Sequence, residues 1–179
     1  MLFKQLVPQD FCLSCDVCCR FTEPQTIWAP LFTKEEIEYL VEKDILPPLV
    51  FTGHPENQTK KDKNKISSAQ RINLVNYKDY FICPCFDVFD SHCKIYAERP
   101  FECQLYPFLL VRKSNKFYLA MDKKCPYLNK VQKNQLKTYT DYLRKEFAKK
   151  KVLSFLRQNQ ELFCEYPSGD LELLFSLDI

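Results

Sequence analysis

Four cysteines fall within eight residues, Cys12-Leu13-Ser14-Cys15-Asp16-Val17-Cys18-Cys19, in the spacing C-x-x-C-x-x-C-C. Thiolates repeated every third residue can turn toward one point, which suits a soft metal ion or an iron–sulfur cluster. Cys18 and Cys19 are adjacent, so their side chains leave the backbone in different directions and one metal does not readily take all four. Three ligands to one centre are expected from this stretch, with Cys19 left for a second centre, a bridge or no role. The remaining ligands must come from elsewhere in the chain. Of its ten cysteines, Cys83, Cys85, Cys93, Cys103 and Cys125 form a second group, and Cys164 stands apart on an apolar segment as an expected core residue.

The rest of the composition narrows the chemistry. There are only two glycines, Gly53 and Gly169, and neither a G-x-G-x-x-G nor a G-x-x-x-x-G-K-[ST] run occurs, so a backbone cradle for phosphate is not expected. A formal charge of +3 from 26 basic and 23 acidic residues does not argue for nucleic acid. The two histidines and the scattered carboxylates make no nucleophilic or acid–base set. Met1 to Pro8 does not read as a charged leader followed by a long apolar stretch, and no run approaches the roughly 18–20 apolar residues of a membrane span. A reducing cytoplasm is the expected setting. There, clustered cysteines mean metal or redox work more often than disulfides, and four thiols in eight residues are hard to obtain from unrelated buried cysteines.

The chain is long enough, at 179 residues, for a domain with a real core. Residues 1–11 read as irregular, and 21–30 as extended or looping with Trp28 as a core anchor. Thr33 with Glu36 three residues on is a capping box that starts a helix with Ile37, Leu40 and Val41 on its apolar face, and Pro47-Pro48 is expected to stop it. Residues 53–70, with Lys60, Lys61, Lys63 and Lys65, read as a surface loop. Arg71 to Cys83 reads as a hairpin turning at Tyr77-Lys78-Asp79 and delivering Cys83-Pro84-Cys85. Pro100 suits the first turn of a short helix carrying Cys103. A second hairpin, Phe108–Arg112 and Phe117–Met121, ends at Cys125-Pro126. From about Leu128 the pattern is helical, with Leu136, Tyr139, Leu143 and Phe147 in phase and a break expected within Ala148 to Lys151. After a turn at Pro167 to Asp170, Leu171, Leu173, Phe175 and Leu177 alternate as a last strand.

With these residues in view, the chain resembles a known family. Cys12-x-x-Cys15-x-x-Cys18-Cys19, then Cys83-Pro84-Cys85-Phe86, then Cys93-Lys94-Ile95-Tyr96 through Arg99-Pro100 to Cys103 and the aromatic–proline pair Tyr106-Pro107 are similar to the CxxCxxCC (YkgJ-type) cysteine-cluster proteins, a zinc- or iron-chelating family. The resemblance covers roughly residues 10–130. It implies Cys12, Cys15, Cys18, Cys19, Cys83, Cys93, Cys103 and Cys125 as metal ligands, with no other cofactor-binding residues. Asp16 stands where the family usually has glycine, and Gln104 where it often has arginine; Cys85 is an extra thiol beside Cys83. From the elements read above, the expected fold is α+β: a small irregular metal-centred domain, residues 1–128, with short antiparallel hairpins and a few helices, followed by a helical and strand extension, 129–179, packed on it.

Zinc ribbons pair two C-x-x-C knuckles. This chain has one such region extended to a third thiol, and Cys125-Pro126 or Cys83-Pro84 offers a remote fourth, as in bacterial ferredoxins. The spacing leans toward a [4Fe–4S] cluster, with a two-zinc site as the alternative. Arg20, Arg99 and Lys124 adjoin ligand cysteines and are candidates to offset thiolate charge; His92 precedes Cys93 and is read as a turn residue rather than a ligand. The expected function is a metal-binding protein holding an iron–sulfur cluster for redox, metal handling or an assembly or modification role, with proteins as partners. A structural zinc interaction module is one alternative. Another is a component related to the flagellin lysine-N-methylase, a relative carrying a similar cysteine module, although no S-adenosylmethionine pocket is legible here.

Overall fold

A turn built from Lys78-Asp79, with Lys78 in the left-handed region (φ 59°), returns the chain on itself where the sequence places a hairpin. The computed structural model describes residues 3–51, 69–167 and 169–179. The lysine-rich stretch with Lys60, Lys61, Lys63 and Lys65 lies outside them, as does His54. In chain order, the described elements are helix α1 (Gln9–Leu13), strands β1 (Arg20–Phe21) and β2 (Leu31–Phe32), helix α2 (Lys34–Glu42), strands β3 (Gln70–Arg71), β4 (Val75–Tyr77), β5 (Tyr80–Ile82), β6 (Phe86–Asp87) and β7 (His92–Cys93), helix α3 (Phe101–Leu105), strands β8 (Phe108–Lys113) and β9 (Lys116–Asp122), helices α4 (Lys133–Phe147) and α5 (Lys150–Gln158), and strand β10 (Leu171–Leu177). Helices mixed with small antiparallel sheets make the fold α+β. No helix among the described residues is long and apolar enough to cross a membrane.

The chain divides into two compact units. One comprises Leu13–Cys103. Its strands are two or three residues long: β1-β5-β4 form one sheet, and β2-β3 and β6-β7 form pairs. Phe21, Phe32, Ile37, Leu40, Phe51, Ile72, Ile82, Phe86 and Ile95 fill its core, together with Cys83 and Cys85. Trp28 is half-buried and packs against this cluster, as its reading as an anchor required. The hairpin is shorter than expected. Ile72 leaves it to bridge Phe51, and Arg71 pairs with Leu31.

Helix α2 begins as its sequence dictates, with the Thr33 side chain accepting from the Glu36 N–H and the Glu36 carboxylate accepting from the Thr33 N–H. It does not end at the prolines. Asp44 takes a left-handed conformation (φ 54°), its N–H donates to Val41 O (3.1 Å), and the Ile45 N–H reaches Leu40 O (2.9 Å). This is a Schellman stop with aspartate where glycine is usual. Asp44→Gly removes the Cβ strain at the cost of a freer unfolded chain, and is expected to stabilise the protein by about 0.5 kcal/mol in urea titration.

The other unit comprises Met1–Cys12 and Gln104–Ile179. Its sheet runs β10-β9-β8, fully antiparallel. Ser114 and Asn115, both left-handed, make the tight β8–β9 turn. Four consecutive residues of β8, Phe108 to Val111, are buried, so both faces of that strand are covered. Its free edge is closed by Cys164, whose N–H donates to Leu110 O and whose carbonyl accepts from Arg112 N–H (3.2 and 2.9 Å). Cys164 is therefore a half-buried edge residue and not the core cysteine expected. The helical segment breaks at Ala148 and Lys149, within the expected window. Leu143, Phe147, Val152 and Leu156 are its buried positions, and Phe147 stacks on Phe3 and meets Phe175 edge-on. In β10 the register shifts between Leu173 and Phe175. The extra residue breaks the alternation, so Leu173 is exposed while Phe175 and Leu177 are buried.

Candidate metal centre

Backbone register brings the two cysteine groups together inside the unit Leu13–Cys103. Cys18 and Cys19 close a short 3-10 turn, Val17–Cys19, held by a Cys19 N–H to Asp16 O bond of 3.0 Å. The chain then enters β1, where Arg20 pairs with Ile82. One step back along that ladder Cys19 faces Cys83, and the Cys83 N–H donates to Cys19 O (3.0 Å). Directly opposed residues of an antiparallel pair hold their Cβ atoms about 4.5–5.5 Å apart. After Cys83 the chain turns through Pro84, closed by a Phe86 N–H to Cys83 O bond of 2.9 Å, which folds Cys85 back beside Cys83. The β6–β7 pair sets Cys93 across from Phe86, and the Lys94 N–H donates to Cys85 O (2.8 Å). Cys103 lies on α3, the short helix predicted after Pro100.

The thiols interact with one another. The Cys18–Cys19 hydrogen bond, then burial, then the neighbouring Cys18, Cys83 and Cys103 push the Cys19 thiol well up. A hydrogen bond from Cys85 draws the Cys83 thiol down against the opposing effect of burial, with Lys94 helping. The same bond raises Cys85, as do burial and the charges of Cys83, Cys93 and Cys103. Burial first, then Cys18, Cys83, Glu102 and Cys93, raises Cys103. Cys18, Cys19, Cys83, Cys85, Cys93 and Cys103 thus form one sulfur-rich neighbourhood. Among the described residues, no group of three or more His, Cys, Asp or Glu side chains stands ready to hold a metal ion. The sulfurs are instead paired, Cys18 with Cys19 and Cys83 with Cys85. That is how protonated thiols behave, since each S–H finds a neighbouring acceptor; a metal replaces those protons and gives the sulfurs a common partner. Soft sulfur donors of this kind fit zinc and iron.

Three expected ligands remain, Cys15, Cys12 and Cys125. Cys15 is half-buried between α1 and the 3-10 turn. Cys12, on α1, and Cys125, buried just before Pro126, belong to the other unit. There the two flank one aromatic contact: Phe11 packs on Tyr127 at 5.1 Å, with the Lys130 ammonium 4.7 Å from the Phe11 ring centre. Cys85, the extra thiol beside Cys83 in sequence, lies beside it in the fold as well. Its signal was the C-P-C spacing, which a tight turn converts into thiol contact.

The cations adjoining the cysteines are engaged with other groups. Arg20 ion-pairs with Asp16 (2.5 Å) and lies over the Tyr80 ring. Arg99, buried, donates from Nε to Tyr96 O (3.1 Å) and stacks on the Tyr96 ring at 3.6 Å. Lys124 pairs with Asp170 at 2.9 Å on the surface. His92 is half-exposed with Asp90 4.0 Å away, and it lies in strand β7 rather than in the turn expected. A family model named CxxCxxCC and described as "Putative zinc- or iron-chelating domain" matches residues 11–126. No curated protein and no solved structure matches the chain.

Proposed function

The chain belongs to the CxxCxxCC family, and from that premise we propose that it binds zinc or iron through thiolates drawn from residues 12–19 and 83–103. The β1–β5 register carries the reading, because it sets Cys19 of the first group opposite Cys83 of the second. Cys15, Cys18, Cys19, Cys83, Cys93 and Cys103 would hold the metal, with Cys85 beside Cys83. Cys12 and Cys125 are further candidate ligands on the family's pattern alone. The form favoured by the C-x-x-C-x-x-C spacing with a remote Cys-Pro is an iron–sulfur cluster, serving electron transfer, metal handling or assembly with a protein partner in the cytoplasm. Zinc would make the same site a structural clasp. Each bound thiol must give up its proton, so affinity falls as the medium is acidified.

Anaerobic purification followed by iron, acid-labile sulfide and zinc analysis tests the proposal. Iron and sulfide in matching amounts with broad visible absorption identify a cluster, and zinc without colour identifies the clasp. Replacing Cys19 or Cys83 by serine is expected to reduce metal content severalfold, whereas Cys164→Ser leaves it unchanged. A folded protein free of both metals overturns the reading.

A further inference from the structure

Two carboxylates outside the thiol cluster converge on the helix that carries Cys103. Glu36 closes the capping box of α2 with one oxygen, Oε2, which accepts from the Thr33 N–H at 2.8 Å. A capping box needs only that oxygen. The other, Oε1, accepts from the Phe101 N–H at 2.6 Å, 65 residues away in sequence. The next residue, Glu102, sends its Oε2 to the Leu31 N–H at 2.6 Å. Two successive residues of α3 are therefore tied to α2 and β2, immediately before Cys103. Helix α3 is five residues long, far below the roughly 12–15 at which an isolated helix holds its own shape. Its position has to be imposed from outside. Glu36 accepts burial to do this: desolvation raises its carboxyl above the usual range, and the two N–H donors counter the rise.

We infer that Glu36 is a positioning residue for the metal centre, setting where the Cys103 sulfur lies, with Glu102 as the second point of the clamp. The inference rests on the metal reading proposed above. Glu36→Gln keeps an oxygen for one N–H and turns an amide donor toward the other. Groups that orient a metal ligand are typically worth about 10–100-fold in affinity.

The test uses the full chain in three forms: wild type, Glu36→Gln, and Leu40→Ala as a control that loosens the same helix from a buried position with no bond to α3. Two quantities are read. The first is the iodoacetamide alkylation rate of Cys103 relative to Cys19 and Cys83 in reduced, metal-free protein, by peptide mass spectrometry. The second is cobalt(II) titration, followed by the sulfur-to-cobalt charge-transfer band. Glu36→Gln is expected to raise the relative rate at Cys103 and to weaken cobalt binding by about tenfold, with a weaker band per bound cobalt. Leu40→Ala is expected to speed all three thiols together. An unchanged ratio in Glu36→Gln, or an equal change of ratio in Leu40→Ala, overturns the positioning role and leaves the metal reading intact. Wild-type protein that takes up no cobalt, zinc or iron overturns the metal reading and the positioning role with it.

Discussion

Stripping the metal from the loaded protein is expected to lower the melting temperature of Leu13–Cys103 while leaving Gln104–Ile179 unchanged. Short strands contribute little to the unit Leu13–Cys103. Its strands are two or three residues long, and isolated hairpins of that size are marginal in water. The thiols Cys83 and Cys85 are among the buried residues of its hydrophobic cluster, so the thiols are part of the core rather than an addition to its surface. Domains of this size carry about 5–15 kcal/mol of net stability, whereas structural zinc in small domains contributes about 10–16 kcal/mol at neutral pH. The two are of similar size, so bound metal is a large share of what holds such a unit. The other unit rests on six- and seven-residue strands and on a buried set made mainly of aliphatic and aromatic side chains. Limited proteolysis after chelation is therefore expected to speed up within 13–103 and to stay unchanged within 104–179. A chelated protein with the same melting curve and the same protection as the loaded one would contradict this.

Local chemistry made much of this architecture legible. The Thr33–Glu36 box, the turns at Lys78-Asp79 and Ser114-Asn115, Pro100 before α3 and the phase change near Lys149 are each decided by neighbours in sequence, and each appears where the residues put it. The features that escaped depend on partners far along the chain or on backbone conformation that composition does not encode. Asp44 ends α2 before Pro47 because a left-handed aspartate supplies a Schellman stop, and glycine is the residue that normally announces one. A single extra residue in β10 cancels an otherwise clean alternation at Leu173. Residues 9–13 carry no strong helical period and still close one short helix, α1. In the site, the C-P-C spacing left open which of Cys83 and Cys85 would bind, and a turn through Pro84 brings both sulfurs together. The second oxygen of Glu36 is the clearest case: T-x-x-E accounts for the bond to Thr33 and is silent about the bond to Phe101.

Phe32→Ala is expected to cost about 3–5 kcal/mol, the usual range for deleting a buried phenylalanine, because the ring is 1% exposed and its cavity has few ways to collapse. The ring meets Phe51 edge-on at 5.2 Å, a contact worth about 0.5–1.5 kcal/mol beyond the area it buries. Its neighbours in sequence add to the consequence. Leu31 donates to Glu102, and Thr33 closes the box with Glu36, so the void opens between the two bonds that hold α3. Losing that much stability brings a unit of this size close to its unfolding midpoint in the absence of metal. Metal shifts the balance back by mass action, about 4.1 kcal/mol when free ion stands at a thousand times its dissociation constant. The variant is thus expected to be largely unfolded when metal-free and largely folded under excess zinc, so that its urea midpoint depends on zinc concentration more visibly than any other single property. Urea titrations of wild type and variant across a series of buffered zinc concentrations measure this. A Phe32→Ala midpoint that does not move with zinc would show that the thiol site and the aromatic core of Leu13–Cys103 are energetically separate, contrary to the placement of Cys83 and Cys85 within one buried cluster.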